Sequence, residues 1–500
     1  MSTQKVFGPP GTGKTTYLLS VVQEELAKET PSNKIGYFAF TRKAANEARD
    51  RAIAKFPHLN PVSDFPWFRT LHSLAFRCLG INSKEMMQDE NYKAFGQSCG
   101  LTIATEKDTV DGFISRADNA ILNEINLARI KGLDLKTHYN QSSLDIEWFH
   151  FEYVERAYRQ YKLDEGLLDF TDLLELIVQE PFRLPKLDAL IVDESQDLSR
   201  LQWQLVKDLA KRSDRVYLAG DDDQAIYNWA GADVDSFLTY PGEVRVLNKS
   251  YRIPAKVHRL AERVVKRIRH RQSKDWSSRD EEGSIQTYNH FAQVDMSEGE
   301  WLVMAAANYM LDEMPEWLKG QGLLFERHGT RSIGEKVLGA VYGWETLRKG
   351  GEVPLSVVKI VYGYLDSALI AKGYKTMAQA PEDRMYSIKD LHNKWGLLTD
   401  GIWHEVLTKI SASQRQYIIA LLRRGTKLNA TPKIKLSTIH GAKGGEADNV
   451  LLLTDLSTKF AKSYDTNPDD INRLLYVGIT RTRNVLHLVL PQNSQKGFRL

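Results

Sequence analysis

QKVFGPPGTGKTTYLL, residues 4–19, decides the fold. Its core, Gly8-Pro9-Pro10-Gly11-Thr12-Gly13-Lys14-Thr15, satisfies G-x-x-x-x-G-K-S/T at every position. A short apolar strand precedes it and the helix-like run TTYLLSVVQEEL follows, which is the setting that this pattern requires. The glycines free backbone N–H groups to wrap phosphate oxygens, Lys14 brings a point charge to the β and γ oxygens, and the Thr15 hydroxyl is a magnesium ligand. Gly8, Pro9, Gly11, Thr12, Gly13, Lys14, Thr15 and Thr16 are therefore the candidate nucleotide contacts.

Outward from this turn, short apolar strands alternate with amphipathic helices in two blocks. The first holds QKVF (4–7), IGYFAF (35–40), ALIVDE (189–194) and RVYLAG (215–220); the second holds VRVL (244–247), KIKLSTIH (433–440), NVLLL (449–453) and NVLHLVL (484–490). Such alternation predicts α/β architecture with parallel sheets and crossover helices. Two stretches, 81–164 and 331–430, lack it and read as helical insertions on loops of the scaffold.

Leu190-Ile191-Val192-Asp193-Glu194 completes the nucleotide site on paper. An apolar run ending in two acids places both carboxylates at the C-terminal edge of a parallel strand, where ligands gather. Asp193 is the candidate magnesium holder and Glu194 the candidate base for an attacking water. Transfer of the γ-phosphoryl group also calls for positive charge on its equatorial oxygens, and Arg252 and Arg481 are the candidates, although each taken alone reads as a solvated surface arginine and the case for it comes from the segment around it.

Bulk composition adds little. The 500 residues carry 67 basic and 64 acidic side chains, a net charge of +3, too balanced to announce a polyanion ligand. The two cysteines, Cys78 and Cys99, make no disulfide framework or metal cluster. No charged-then-apolar leader and no run of about 20 apolar residues is present, so a cytoplasmic protein without membrane contact is expected.

Several segments resemble superfamily 1A helicases, the UvrD/Rep/PcrA family. Asp193-Glu194-Ser195-Gln196-Asp197 is similar to its DExQD box, and Gly220-Asp221-Asp222-Asp223-Gln224-Ala225-Ile226-Tyr227-Asn228-Trp229 to its motif III. Ser250-Tyr251-Arg252 resembles motif IV, Thr438-Ile439-His440-Gly441-Ala442-Lys443-Gly444-Gly445-Glu446 motif V, and Tyr476-Val477-Gly478-Ile479-Thr480-Arg481-Thr482-Arg483 motif VI. Weaker echoes are Phe40-Thr41-Arg42-Lys43-Ala44-Ala45, Thr70-Leu71-His72-Ser73 and Asp169-Phe170-Thr171-Asp172-Leu173-Leu174. The matches keep the family's order from residue 8 to residue 483.

The resemblance implies two RecA-like motor domains, 1–80 with 165–243 and 244–330 with 431–500, carrying inserted subdomains 81–164 and 331–430. It implies that ATP binds between the two motor domains, that Gln224 senses the γ-phosphate and couples it to DNA, that Arg252 and Arg481 reach that phosphate from the second motor domain across the cleft, that Tyr251 stacks on adenine and that Glu446 holds the ribose. ATP and Mg2+ are the implied cofactors, with stepping 3′→5′ along one DNA strand. Single-stranded and tailed duplex DNA are the implied partners, with loading or replication and repair proteins of unspecified identity, and a monomer is expected.

Sequence-independent strand binding uses aromatic platforms worth about 1–3 kcal/mol per base. Tyr227 and Trp229 lie three and five residues beyond Gln224, so sensor and platform share one segment; Phe40, Thr41, Thr70, His72 and His440 are further DNA candidates. A core position is the alternative for Trp229. The basic run Arg259, Arg263, Lys266, Arg267, Arg269, Arg271 and Lys274 reads either as a solvated face or as a phosphate track. The chain also departs from the family. Seven residues precede Gly8, Gln4 lies within the strand, Thr16 follows the lysine-threonine pair where a basic residue is usual, and Ala230 stands after the motif III tryptophan. Looser choice among nucleoside triphosphates is expected, as are a reduced 331–430 insertion, no C-terminal docking tail and no nuclease domain. A translocase that displaces proteins with little unwinding and a non-motor DNA-binding module are the rival readings. Intact Lys14, Thr15, Asp193, Glu194, Gln224, Arg252 and Arg481 count against the second.

Overall fold

The computed structural model describes residues 2–57, 60, 63–103, 120–142 and 144–500. The part of the helical expectation that falls on 104–119, and the Lys43 side chain, lie outside the described residues. The chain forms two compact units, one of Met1–Ser284, Thr458–Asn484 and Phe498–Leu500, the other of Ile285–Ser457 and Val485–Gly497.

The first unit is built on a six-stranded sheet. Its strands are β1 (Ser2–Phe7), β2 (Ile35–Phe38), β3 (Phe68–Arg69), β4 (Leu187–Val192), β5 (Ser213–Gly220) and β6 (Glu243–Val246), in the order β3-β2-β4-β5-β1-β6. Every pairing is parallel. Successive side chains of a strand face opposite sides, and both sides are covered. Val6, Ala189 and Ile191 pack with Leu18 and Val22 of the helix Lys14–Ala27, while Phe7, Leu190 and Val192 pack with Leu74, Leu173 and Trp203 of helices on the other face. That two-sided burial is why β4 is an unbroken apolar run.

Residues 244–247, assigned to the second block from sequence, pair with β1 in this first sheet. Strand alternation marks a strand but does not say which sheet it joins, and that assignment is corrected here.

The stretch 81–164 holds helices Asp89–Ser98, Ala120–Lys131, Leu135–Gln141 and Trp148–Glu165 around its own core of Tyr92, Phe95, Leu122, Ile125, Phe151 and Tyr158. Buried charge ties it to the helix Phe170–Gln179. Arg129 reaches Asp169 at 2.8 Å and Glu175 at 2.7 Å, and Lys162 reaches Asp169 at 2.7 Å. Asp169 also caps that helix, in a reciprocal box with Asp172. The motif echo at 169–174 thus has a joining role.

The second unit carries a seven-stranded sheet of β7 (Ser284–Tyr288), β8 (Trp301–Ala305), β9 (Phe325–Arg327), β10 (Thr330–Arg331), β13 (Ile434–Thr438), β14 (Ala447–Leu453) and β15 (Thr482–Val489). The order is β10-β9-β13-β8-β14-β15-β7, with β8 parallel to both β13 and β14. A two-stranded pair, β11 (Glu352–Pro354) with β12 (Met385–Ser387), accompanies helices Glu335–Arg348, Leu355–Tyr364, Ile388–Lys394, Trp403–Val406 and Ala412–Arg423 in the 331–430 stretch. Among the described residues no helix is long and apolar enough to cross a membrane.

Candidate active site

The phosphate-binding turn leaves β1 and enters the helix Lys14–Ala27 through Gly11 and Gly13, both in the left-handed region at φ +72° and +76°. A side chain would strain both positions. The Gly8 N–H is anchored to the Gly220 carbonyl at 2.9 Å and the Thr12 hydroxyl donates to the Pro9 carbonyl at 2.8 Å. Thr15 is half-buried in the first turn of the helix, and Thr16 is exposed.

Lys14 lies against the two acids that follow β4, Asp193 and Glu194. Its ammonium is 2.7 Å from Glu194 Oε1 and 3.6 Å from Asp193 Oδ1. Burial pulls its pKa down, but the Glu194 and Asp193 carboxylates outweigh that and hold it above the usual lysine range. Burial also raises the Asp193 carboxyl, partly opposed by Lys14, and the Tyr37 hydroxyl donates to Asp193 Oδ2 at 3.0 Å. Glu194 takes a left-handed backbone at φ +53°, uncommon for a residue with a side chain.

Gln196 joins this edge to the next. Its amide nitrogen donates to Glu194 Oε2 at 2.6 Å and to Asp197 Oδ2 at 3.0 Å, while its oxygen accepts the Asp221 N–H at 3.0 Å. Asp221 Oδ2 accepts from the Gln224 amide at 2.7 Å, and Gln224 Oε1 accepts from Arg481 Nη2 at 2.5 Å. Arg481 is only 2% exposed and its Nε donates to the Val477 carbonyl at 3.1 Å. One chain of polar contacts therefore runs from Lys14 to Arg481.

The loop 250–252 docks on the same turn. The Tyr251 N–H donates to the Gly11 carbonyl at 2.8 Å and the Ser250 hydroxyl to the Pro10 carbonyl at 2.7 Å. A methyl group on residue 11 would overlap the Arg252 Cβ and stand 2.9 Å from Ser250 Oγ. The Tyr251 ring is 73% exposed, its edge 4.0 Å from where a Gly13 Cβ would be, and so it offers a free face at the rim. Arg252 and Arg481 share the first unit with Lys14, where a second motor domain was expected to supply them. Glu446 and His440 belong to the second unit, on the segment between β13 and β14.

These residues suit a magnesium-bound triphosphate. The half-buried Lys14 side chain crosses the turn at Gly8, where a Cβ would stand 3.0 Å from it, and a hydroxyl and a carboxylate, those of Thr15 and Asp193, are the hard oxygen donors that magnesium prefers.

Beyond Gln224 the segment becomes aromatic. Tyr227 is 8% exposed and stacks on Phe40, ring centroids 5.8 Å apart and planes 17° from parallel. Trp229 is 54% exposed, which removes the core alternative. Thr41 and Thr70 cap the helices Arg42–Lys55 and Leu71–Leu79, accepting from Ala44 N at 3.1 Å and Ser73 N at 3.2 Å. His72 packs edge-on against Phe170, and burial, with Arg42 nearby, lowers its pKa to about 4, so the ring is neutral at pH 7. Gln4 lies in β1 and its side-chain oxygen accepts from the Tyr17 hydroxyl at 2.7 Å.

Sequence reasoning missed Gln196, although the DExQD box contains it, and misjudged two members of the basic run. Arg271 forms a two-pronged pair with Asp223, at 2.7 and 2.6 Å, and Lys274 is buried among Asp221, Asp222 and Asp223. Neither is a solvated face or a phosphate track.

Two family descriptions match the chain: the UvrD/REP helicase N-terminal domain over residues 2–244 and the UvrD-like helicase C-terminal domain over residues 405–493. Among curated proteins, the chain is 28% identical over 307 residues to the ATP-dependent DNA helicase PcrA of Bacillus subtilis, covering 56% of this chain and 39% of that protein. It is 26% identical over 341 residues to DNA helicase II of Haemophilus influenzae, covering 64% and 45%. With the ATP-dependent DNA helicase Rep of Buchnera aphidicola it shares 27% over 294 residues, covering 55% and 42%. The matches span less than half the length of each of these relatives.

Proposed function

Since this chain belongs to the UvrD/Rep/PcrA family of superfamily 1 helicases, we propose that it spends ATP to move 3′→5′ on single-stranded DNA and to open duplex ahead of it. The observation that carries this reading is the unbroken contact path from Lys14 through Glu194, Gln196, Asp221 and Gln224 to Arg481, in which Asp221 and Gln224 belong to a segment that continues to Tyr227 and Trp229.

In this reading, the turn 8–15 binds the phosphates, Lys14 neutralises the β and γ oxygens and Glu194 takes the proton of the attacking water. Magnesium, held by Thr15 and Asp193, would supply charge neutralisation of the phosphates. Arg252 and Arg481 stabilise the equatorial oxygens of the departing phosphoryl group, and Tyr251 stacks on the base. Gln224 carries the change at the γ position into the segment bearing Tyr227 and Trp229. Phe40, Thr41, Thr70 and His72 complete the strand contacts. Stretches 81–164 and 331–430 act as inserted subdomains. Opening one base pair costs about 1.4 kcal/mol of stacking, which one ATP turnover readily supplies.

The test is unwinding of matched 3′-tailed and 5′-tailed duplexes with ATP. The 3′-tailed substrate is expected to open and the 5′-tailed one to persist. If neither opens while a 3′-tailed strand still loses a bound protein block, the motor is a translocase; equal opening of both removes the polarity.

Trp229→Ala tests the track. An exposed indole that holds a base contributes about 1–3 kcal/mol. Stimulation of hydrolysis by single-stranded DNA should require roughly tenfold or more additional DNA, by the same stacking figure, while basal turnover stays. An unchanged half-saturating DNA concentration would take Trp229 off the track.

A further inference from the structure

The three aspartates preceding Gln224 are all buried, and the ammonium that sits among them is Lys274, itself without exposed side-chain surface. It lies 3.0 Å from Asp221 Oδ1 and 2.7 Å from Asp223 Oδ2, and pairs with Asp222. Arg271 engages Asp223 in parallel bonds, the Gln272 N–H donates to Asp222 Oδ2 at 2.8 Å, and Arg473 donates to the Asp222 carbonyl at 3.0 Å. The carboxylates are close enough together to hold a cation, and Lys274 is the cation they hold.

Three buried carboxylates repel one another strongly unless positive charge is fixed between them. Of the three, Asp221 has a second task. One carboxylate oxygen meets Lys274, the other accepts from the Gln224 amide at 2.7 Å, and its N–H is bound by Gln196. Rotation of this carboxylate would release the Gln224 amide, and with it the oxygen turned toward Arg481.

We propose that Lys274 is a positioning residue for hydrolysis: by pinning the Asp221 carboxylate it sets the Gln224 amide toward Arg481, and so reaches the γ-phosphate site without touching nucleotide. This rests on the motor reading above. Lys274 lies 50 residues after Gln224 in the chain, so the device depends on the fold of the first unit and not on a local motif.

The experiment is a two-residue cycle of Lys274→Met and Gln224→Ala, read as single-stranded-DNA-stimulated ATP turnover by the full chain. Lys274→Met is expected to lower kcat about tenfold or more, the scale of about 1.4 kcal/mol in the barrier, with KM for ATP within about twofold. In the Gln224→Ala background, the same substitution should cost less than about twofold, because the residue it acts through is gone. Should Lys274→Met fail to fold, Lys274→Met with Asp222→Asn removes one charge of each sign and takes its place in the cycle. Additive losses, or an unchanged kcat in a folded variant, overturn the proposal. If instead the unsubstituted chain shows no DNA-stimulated turnover, the motor reading fails and takes this proposal with it.

Discussion

Glu194→Gln is expected to remove DNA-stimulated ATP hydrolysis by about 10²–10⁴-fold, the worth of a positioned general base, with the fold and nucleotide binding intact. The carboxylate accepts from the Lys14 ammonium at 2.7 Å and from the Gln196 amide at 2.6 Å. Glutamine is nearly isosteric and keeps one acceptor, so the left-handed backbone at this residue need not change. What disappears is basicity, and with it a negative charge that competes with phosphate for Lys14. ATP should therefore bind as tightly as before or more tightly. Lys14→Ala should likewise abolish turnover, but with weaker ATP binding, because it withdraws the ammonium and leaves the buried Asp193 without its cation. Steady-state hydrolysis, a fluorescent-nucleotide titration and a circular-dichroism melt separate these outcomes. Retained turnover in both folded variants would remove this pocket from the chemistry.

Arg481→Lys carries the second large effect. Arginine here uses two edges of one rigid plane, Nη2 on Gln224 Oε1 at 2.5 Å and Nε on the Val477 carbonyl at 3.1 Å. Lysine retains the charge but has a single flexible ammonium, which cannot hold both directions at once. If Arg481 completes the charge around the departing phosphoryl group, single-turnover hydrolysis on saturating DNA should fall by about 10³–10⁵-fold, the worth of an arginine finger. ATP binding should weaken far less, because the charge stays in the pocket. Hydrolysis within tenfold of the unsubstituted chain would show that Arg481 only braces Gln224.

The sequence was most legible where chemistry is local. A phosphate-binding turn needs its glycines, lysine and threonine within eight residues, and β4 needs its acids immediately after an apolar run, so residues 8–15 and 190–194 could be read directly. Sheet membership was less legible. Residues 244–247 alternate like any strand, and only packing places them beside β1. The strand Trp301–Ala305 was overlooked because it is buried on both faces, and a continuous apolar run can be helix or strand. Pairings across long sequence separations were illegible altogether. Counting charge from 259 to 274 gave a basic run, yet Arg271 and Lys274 meet aspartates 48 to 53 positions earlier, and burial reverses what their charge means. Exposure decided Trp229 in the same way, since an indole reads identically in a core and on a surface.

The strap that presents Tyr251 and Arg252 lies on the cradle because residue 11 offers it nothing but a hydrogen atom. The seat of the arginine is set by what is missing opposite it, and the seam has no tolerance to spare. Even the smallest side chain there would press on Ser250 and Arg252 and lift the strap from its bed, and a triphosphate held as proposed would be cupped on one side only.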